Sequence, residues 1–243
     1  MIYAVKSSVS DLLVWVIIWV PVTALAAWAA TTGSTPAPVP GAAASGRLKY
    51  AHGTTAALIV VAFLAMHLAN HSMALWSEQA HRHVMDLFRV IYRAKLIEPL
   101  VIALFLFQVA SGAALLWPYV RRPTDIFRTL QIATGAYLFF YVLGHLNSVF
   151  VARVITKTKT DFAWATGAPL GLIHDPWSIR LLPHYLIAVF FVLAHLVLGA
   201  RVIALAHDMP QARADRMARI GIGMAAVVAV AIMAGLCGLR FGE

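Results

Sequence analysis

Cysteine is almost absent: Cys237 is the only one in the chain. That excludes an internal disulfide, a cysteine-ligated iron–sulfur cluster and the C-x-x-C-H attachment of a c-type haem. Charge is scarce as well, at 12% of residues against about 25% in soluble domains. Acidic residues are scarcest, ten against nineteen Lys and Arg, for a formal net charge of +9. The basic residues are spread over every loop, which argues against a nucleic-acid partner and suits lipid headgroups or an acidic soluble subunit. What the chain has in excess is apolar surface: 61% of its residues are hydrophobic, and mean hydropathy is +0.81. These proportions predict an all-α integral membrane helical bundle.

Six apolar runs, at 12–30, 52–76, 96–117, 128–152, 184–206 and 218–239, are each about long enough to cross ~30 Å of hydrocarbon at ~1.5 Å per residue. The first differs in character. It carries no histidine and is followed by the linker "TTGSTPAPVPGAAASG". "ALAAWAA" has the small residues of a signal-peptidase site, but the apolar run exceeds the usual length, so a retained helix is expected. The chain therefore divides into residues 1–46, an extra N-terminal transmembrane helix with its linker, and residues 47–243, a five-helix membrane domain. The segment "SEQAHRHVMDLFRVIYRAK" is partly amphipathic and reads as interfacial, and Trp164 and Trp177 in the long fourth-to-fifth loop read as interface anchors. Counting six spans, Lys and Arg divide ten to nine between the two sides, so the positive-inside rule assigns no orientation.

Ten histidines are present. His81, His83, His174 and His207 fall in loops, where solvation is expected, and His52 and His184 open their runs near the interface. His67, His71, His145 and His195 lie within spans, where lipid offers an imidazole no partner. At 100° per residue, His67, Asn70 and His71 share one face of the second run, and Gln108, Ser111 and Gly112 one face of the third. Gln131, Thr134, Leu138, Tyr141 and His145 do so on the fourth, and His184, Ala188, Phe191, His195 and Gly199 on the fifth. Four polar stripes in lipid are expected to face one another, with the last run as a packing helix.

Depth then selects pairs. His67 is the sixteenth residue of its run and His145 the eighteenth of its own, on helices running the same way. Gln108 is the thirteenth residue and His195 the twelfth on the two helices running back, which makes a second level. Two imidazoles from two helices at one depth are what bis-histidine ligation of haem b requires, and Gly112, Gly135, Gly144 and Gly199 would admit a porphyrin. Hydrogen-bonded core histidines are the bland alternative. Zinc, with His71 as a third nitrogen, fits less well, because no carboxylate or thiolate sits beside the pair.

"YAHGTTAALIVVAFLAMHL", "AHRHVMD", "EPLVIALFLFQVASG", "LQIATGAYLFFYVLGH" and "FFVLAHLVLGA" follow in an order, spacing and depth that resemble the cytochrome b membrane anchor of the succinate dehydrogenase and fumarate reductase (succinate:quinone oxidoreductase) family, single-chain five-helix type. The matching pieces run from about Tyr50 to Ala206 and lie on four of the six runs; a five-helix type takes in the last run as well. It implies a multi-pass protein of a bacterial inner (cytoplasmic) membrane that passes electrons between membrane quinone and a docked flavoprotein with an iron–sulfur protein. The dicarboxylate chemistry would lie on those partners, since nothing in this chain could perform it. His67 and His145 would ligate the haem farther from the soluble subunits, and His195 would be one ligand of the nearer haem.

The other ligand of that nearer haem would come from the third run, where this chain has Gln108. One haem b per chain is therefore expected, with Gln108 hydrogen-bonded to His195 or a neighbour; an inner haem held by His195 alone, or completed by a residue from elsewhere, is the alternative. His52 is the outsider, but counted from the start of its run its depth differs from that of His195 by roughly 15 Å. Asn70, His71, Trp76 and Glu98 lie beyond His67 and are the candidates for quinone binding and proton relay. Arg47, Lys49, Arg121, Arg122, Arg128 and Arg201 mark the expected docking surface for partner subunits. A stand-alone membrane cytochrome b and a haem-free structural anchor are the competing readings.

Overall fold

A computed structural model of the chain describes residues 42–116, 125–167 and 171–241, together with Val20 and Ala24. Apart from those two positions, the run at 12–30, expected to be an extra membrane helix, lies outside the described residues. Among the described residues there is helix and no strand. The principal helices are α1 (Ala42–Ile59), α2 (Ala65–Ser72), α3 (Glu78–Tyr92), α4 (Ile97–Leu116), α5 (Ile126–Phe150), α6 (Phe162–Thr166), α7 (Leu181–Ala206) and α8 (Gln211–Leu236). A π-helical turn, Val60–Leu64, joins α1 to α2, and a second, Val151–Ile155, continues α5. Five helices are long and apolar enough to cross a membrane, at Gly46–Leu75, Ile97–Leu116, Ile126–Ile155, Ser178–Ala206 and Gln211–Leu236, the pattern of a multi-pass membrane protein.

Helix starts are set by side-chain caps. Asp125 accepts from the backbone N–H groups of Phe127 (2.9 Å) and Arg128 (3.1 Å) at the head of α5. Ser77 accepts from Ala80 (2.9 Å) at α3, and Asp161 from Trp164 (3.2 Å) at α6. Gly167, at φ 76°, closes α6 in the left-handed conformation that glycine adopts without strain. Pro183 sits in the first turn of α7, where its missing N–H costs nothing.

Two boundaries differ from expectation. The helix carrying His52 begins at Ala42, ten residues before the apolar run, because "AAASGRLKY" contains no proline and its alanines favour helix. The last helix likewise begins at Gln211 instead of 218.

Lipid replaces water around most of the bundle, so packing inside the membrane relies on close approach. In α8, Ala214, Ala218, Ala225 and Ala229 are buried. A Cβ at Gly221 would stand 2.7 Å from Val197 Cγ1, and one at Gly235 would stand 2.9 Å from the Leu75 amide nitrogen. α8 is the expected packing helix. The dense apolar cluster lies at one end, where Phe162 and Leu172 of the long 156–180 loop fold over Ala74, Ile232, Met233 and Leu236. α3, α6 and this loop cover that end, here termed the capped end. The opposite end, where α1 and α5 begin, is the open end.

The expected docking surface is altered at one position. Arg201 is buried, its Nε 2.7 Å from Asp215 and its guanidinium stacked over Phe127. It ties α7 to α8 and offers no charge to a partner; Arg121 and Arg122 lie outside the described residues.

Candidate functional site

A partly open cavity of about 250 Å³ lies at the capped end between α2 with its preceding π turn, α4, α5, α7 and α8, with α3 and α6 over it. His67 and His145 both line it. Their ring centroids are 6.1 Å apart, the rings inclined at 66°. An iron bound to one nitrogen of each ring at about 2.0–2.1 Å would separate the centroids by roughly 6.4 Å. The spacing therefore suits a metal held between the two imidazoles. Phe63 stacks on His67 (4.9 Å, 21°) and Tyr141 on His145 (5.5 Å, 9°), so each ring has an aromatic plate at its back. Both helices carry a π turn near the histidine, three residues before His67 and six after His145. Such turns re-phase one side of a helix relative to the other and recur at functional sites.

A polar corner adjoins the pair. His71 is 4.6 Å from His67, ring to ring, and its Nδ1 is 3.4 Å from His81 Nε2. Asn70 Nδ2 lies 3.3 Å from the same His81 nitrogen. The amide can only donate there, so His81 Nε2 accepts and His81 Nδ1 carries the proton. That buried Nδ1–H finds no partner, and neither do Asn70 Oδ1 or Arg89 Nε. These are the three unpartnered buried side-chain atoms among the described residues, and all belong to residues lining this one cavity. Buried polar atoms are almost always satisfied, so three exceptions in one place point to a ligand with groups of both kinds.

The cavity also carries more positive than negative charge. Arg153 holds both carboxylate oxygens of Glu98, while Arg89 and Arg93 reach Thr160, the latter at 3.0 Å from its hydroxyl. Arg89 meets its nearest carboxylate, Asp86, only at 4.0 Å. Two guanidinium groups thus face the cavity without a close carboxylate, as the two propionates of a haem would require. Imidazole pair, aromatic walls and cationic rim all fit that group. Among the described residues no three His, Cys, Asp or Glu side chains are arranged to hold a metal ion.

The structure brings His67, His71, His145, Asn70 and Glu98 together on the cavity wall. Glu98 is paired with Arg153 instead of standing free at a helix N-terminus. Trp76 is not brought in: it is half exposed and meets Phe241 edge to face. Trp164, expected as a lipid anchor, lines the cavity. His81, expected to be solvated, is 2% exposed. α3 folds the face bearing His81, Met85 and Arg89 onto the cavity, and that four-residue spacing was the available signal. Burial, then the charge of Arg89, holds the His81 imidazolium pKa down to about 4, so the ring is neutral at neutral pH.

The second level differs from expectation more. Gln108 faces α1, where its amide donates to the His52 carbonyl (2.7 Å) and to Thr55 Oγ1 (2.5 Å), and its contacts do not include His195. His195 instead meets Thr134 Oγ1 through Nδ1, at 3.0 Å. Because α1 starts at Ala42, His52 lies about 15 Å from the open end of its helix, and His195 lies about 16 Å before the end of α7. The mismatch that separated them in the sequence vanishes.

No family model, curated protein or solved structure matches the chain.

Proposed function

We propose that the chain is a membrane cytochrome b subunit that holds haem b between His67 and His145 and exchanges electrons with quinone. The observation that carries this reading is the pair of imidazoles, from two helices, 6.1 Å apart in a cation-rimmed cavity. Haem would supply reversible one-electron chemistry there. His67 and His145 would hold it, braced by Phe63 and Tyr141, and Arg89 and Arg93 would meet its propionates. The unpartnered His81 Nδ1–H and Arg89 Nε–H offer hydrogen bonds that a quinone carbonyl accepts, and Asn70 Oδ1 accepts from a quinol hydroxyl. Glu98, bound to Arg153 at the same rim, is the nearest acid for proton exchange.

The sequence resemblance extends the reading to an anchor for a flavoprotein and an iron–sulfur protein of the succinate dehydrogenase or fumarate reductase kind, in a bacterial inner membrane. A single cysteine supports the division of labour, since the electron input must come from clusters held elsewhere. The test is purification of the full chain from its native membrane. A reduced-minus-oxidised spectrum of low-spin b-type haem, with flavin and iron–sulfur subunits in the same fraction, is expected. A preparation without haem would overturn the cytochrome reading; haem without those subunits would leave a stand-alone cytochrome b.

A further inference from the structure

The five residues after α8, Cys237–Phe241, turn back over the capped end. The turn is a Schellman motif: Gly238 N–H donates to the Gly235 carbonyl at 3.1 Å and Leu239 N–H to the Ala234 carbonyl at 2.9 Å. Gly238, at φ 104°, takes the left-handed position that the motif requires. The 156–180 loop rests directly on this turn. A Cβ at Gly171 would stand 2.5 Å from the Cys237 carbonyl carbon and 2.6 Å from the Gly238 nitrogen, so backbone meets backbone there. Cys237 also packs against the apolar cluster that Phe162 and Leu172 form with the end of α8.

Two further contacts reach the residues around the polar corner of the cavity. Arg240 Nη1 donates to the Gly235 carbonyl at 2.6 Å and to the Leu239 carbonyl at 3.0 Å, and its guanidinium lies over the Phe162 ring, 5.3 Å from the centroid. His81 meets that same ring at 5.3 Å, inclined at 68°. Phe162 is thus shared between Arg240 and the imidazole whose Nδ1–H is unpartnered. Phe241 N–H donates to the Leu75 carbonyl at 2.8 Å, in the turn that follows α2, and its ring meets Trp76 edge to face. α2 carries Asn70 and His71, the other members of the corner, and Asn70 Nδ2 lies 3.3 Å from His81 Nε2. The segment therefore holds the corner from both sides, although none of its own residues lines the cavity. Burial and then Arg89 keep the His81 ring neutral; Arg240 adds to this effect, and Glu78 and Asp161 oppose it.

We propose that Cys237–Phe241 is a strap that positions the ligand-binding corner, with Arg240 setting His81 through Phe162 and Phe241 setting Asn70 and His71 through Leu75. The identity of the ligand rests on the quinone reading of the cavity; the contacts of the strap do not. Arg240 and Phe241 are positioning residues, so the experiment has two arms on the full chain in detergent. One is amide hydrogen exchange followed by mass spectrometry. The other is calorimetric titration with menadione, a naphthoquinone without a tail, well below the unfolding temperature. Phe241→Pro removes one N–H, and Arg240→Gln removes the guanidinium. Each should speed exchange at 160–174 and leave α4 and α5 unchanged. Each should also raise the Kd for menadione by about tenfold, the worth of about one hydrogen bond. Arg240→Lys should recover most of that loss, because it restores the charge over Phe162. Unchanged exchange in both variants would overturn the strap. Faster exchange with an unchanged Kd would overturn its bearing on the site and leave the proposed function intact. An unaltered chain that does not bind menadione would overturn the quinone reading, and the exchange arm would then decide the strap alone.

Discussion

The capped-end pair makes an asymmetric prediction. In His145→Ala, α5 offers no other imidazole, and His184 of α7 packs against Tyr141. In His67→Ala, a substitute stands beside the deleted ring: His71, 4.6 Å away and one turn further on. To ligate, His71 must leave His81, to which its Nδ1 comes within 3.4 Å. Giving up a buried hydrogen bond costs about 1–3 kcal/mol, which is about 5- to 150-fold in haem retention. His145→Ala should therefore lose the low-spin capped-end signal outright, whereas His67→Ala should keep a weakened fraction of it. His67→Ala combined with His71→Ala should then match His145→Ala. The assay is reduced-minus-oxidised absorbance and low-temperature electron paramagnetic resonance on detergent-purified variants, with haem loss followed on transfer to a scavenger apoprotein. A normal bis-histidine signature in both single variants would refute the ligand assignment. Equal and complete loss in both would refute the rescue by His71 while sparing the pair.

Other outcomes follow from the packing and charge of named groups. Arg201→Met strands Asp215 at a site where the arginine side chain is 6% exposed, so a loss of about 3–5 kcal/mol is expected in thermal unfolding in detergent, partly restored by Asp215→Asn. Gly221→Ile drives a side chain into Val197, 2.7 Å from where its Cβ would stand, and should cost about 1–3 kcal/mol and loosen α7 from α8, read by cross-linking between engineered cysteines on the two helices. His81 has a folded pKa of about 4 against an ordinary value near 6.5, so the unfolded chain binds the extra proton between these values. Stability of the capped end is thus full above about pH 6.5 and falls as pH drops toward 4, by about 3 kcal/mol. Protease cleavage of the 156–180 loop should rise across that window and should rise less in His81→Leu.

The spans and the capped-end pair were legible in the sequence for one physical reason. Lipid gives polar groups no partner, so a hydropathy pattern locates the helices and any histidine within one announces a tertiary role. Counting residues then placed His67 and His145 at one depth, because both lie inside the apolar runs from which depth was counted. The same counting failed for His52. α1 extends ten residues beyond its apolar run through Gly46, Arg47 and Lys49, and hydropathy records where hydrocarbon ends, not where the helix does. His81 was misjudged for a related reason. α3 is polar by composition, but it lies against protein on one side, and its buried face shows only in the spacing of His81, Met85 and Arg89. Trp76 sits one residue past the span, and the turn at Met73–Leu75 carries it away from the cavity, a rotation that no helical projection of the sequence anticipates.

The two levels of histidines are finished differently, and the difference bears on what each can hold. At the open end every hydrogen-bonding group named above is matched: Gln108 to the His52 carbonyl and Thr55, Ser111 to Phe107, Thr134 to Leu130. None of the unmatched buried side-chain atoms lies at this level, so it offers little to a visiting polar molecule. At the capped end the opposite holds. His67 and His145 are braced by aromatic stacking, while Asn70, His81 and Arg89 each leave a buried polar atom unmatched. Each unmatched atom costs about 1–3 kcal/mol for as long as it stays so. A chain that carries this cost at one end and not at the other has a use for it there. The exchange of a molecule with two carbonyl or hydroxyl oxygens satisfies these atoms when it is bound and releases them when it leaves. On the proposed function that molecule is the quinone, and its site lies beside His67 at the capped end, at the opposite end of the bundle from His52 and His195.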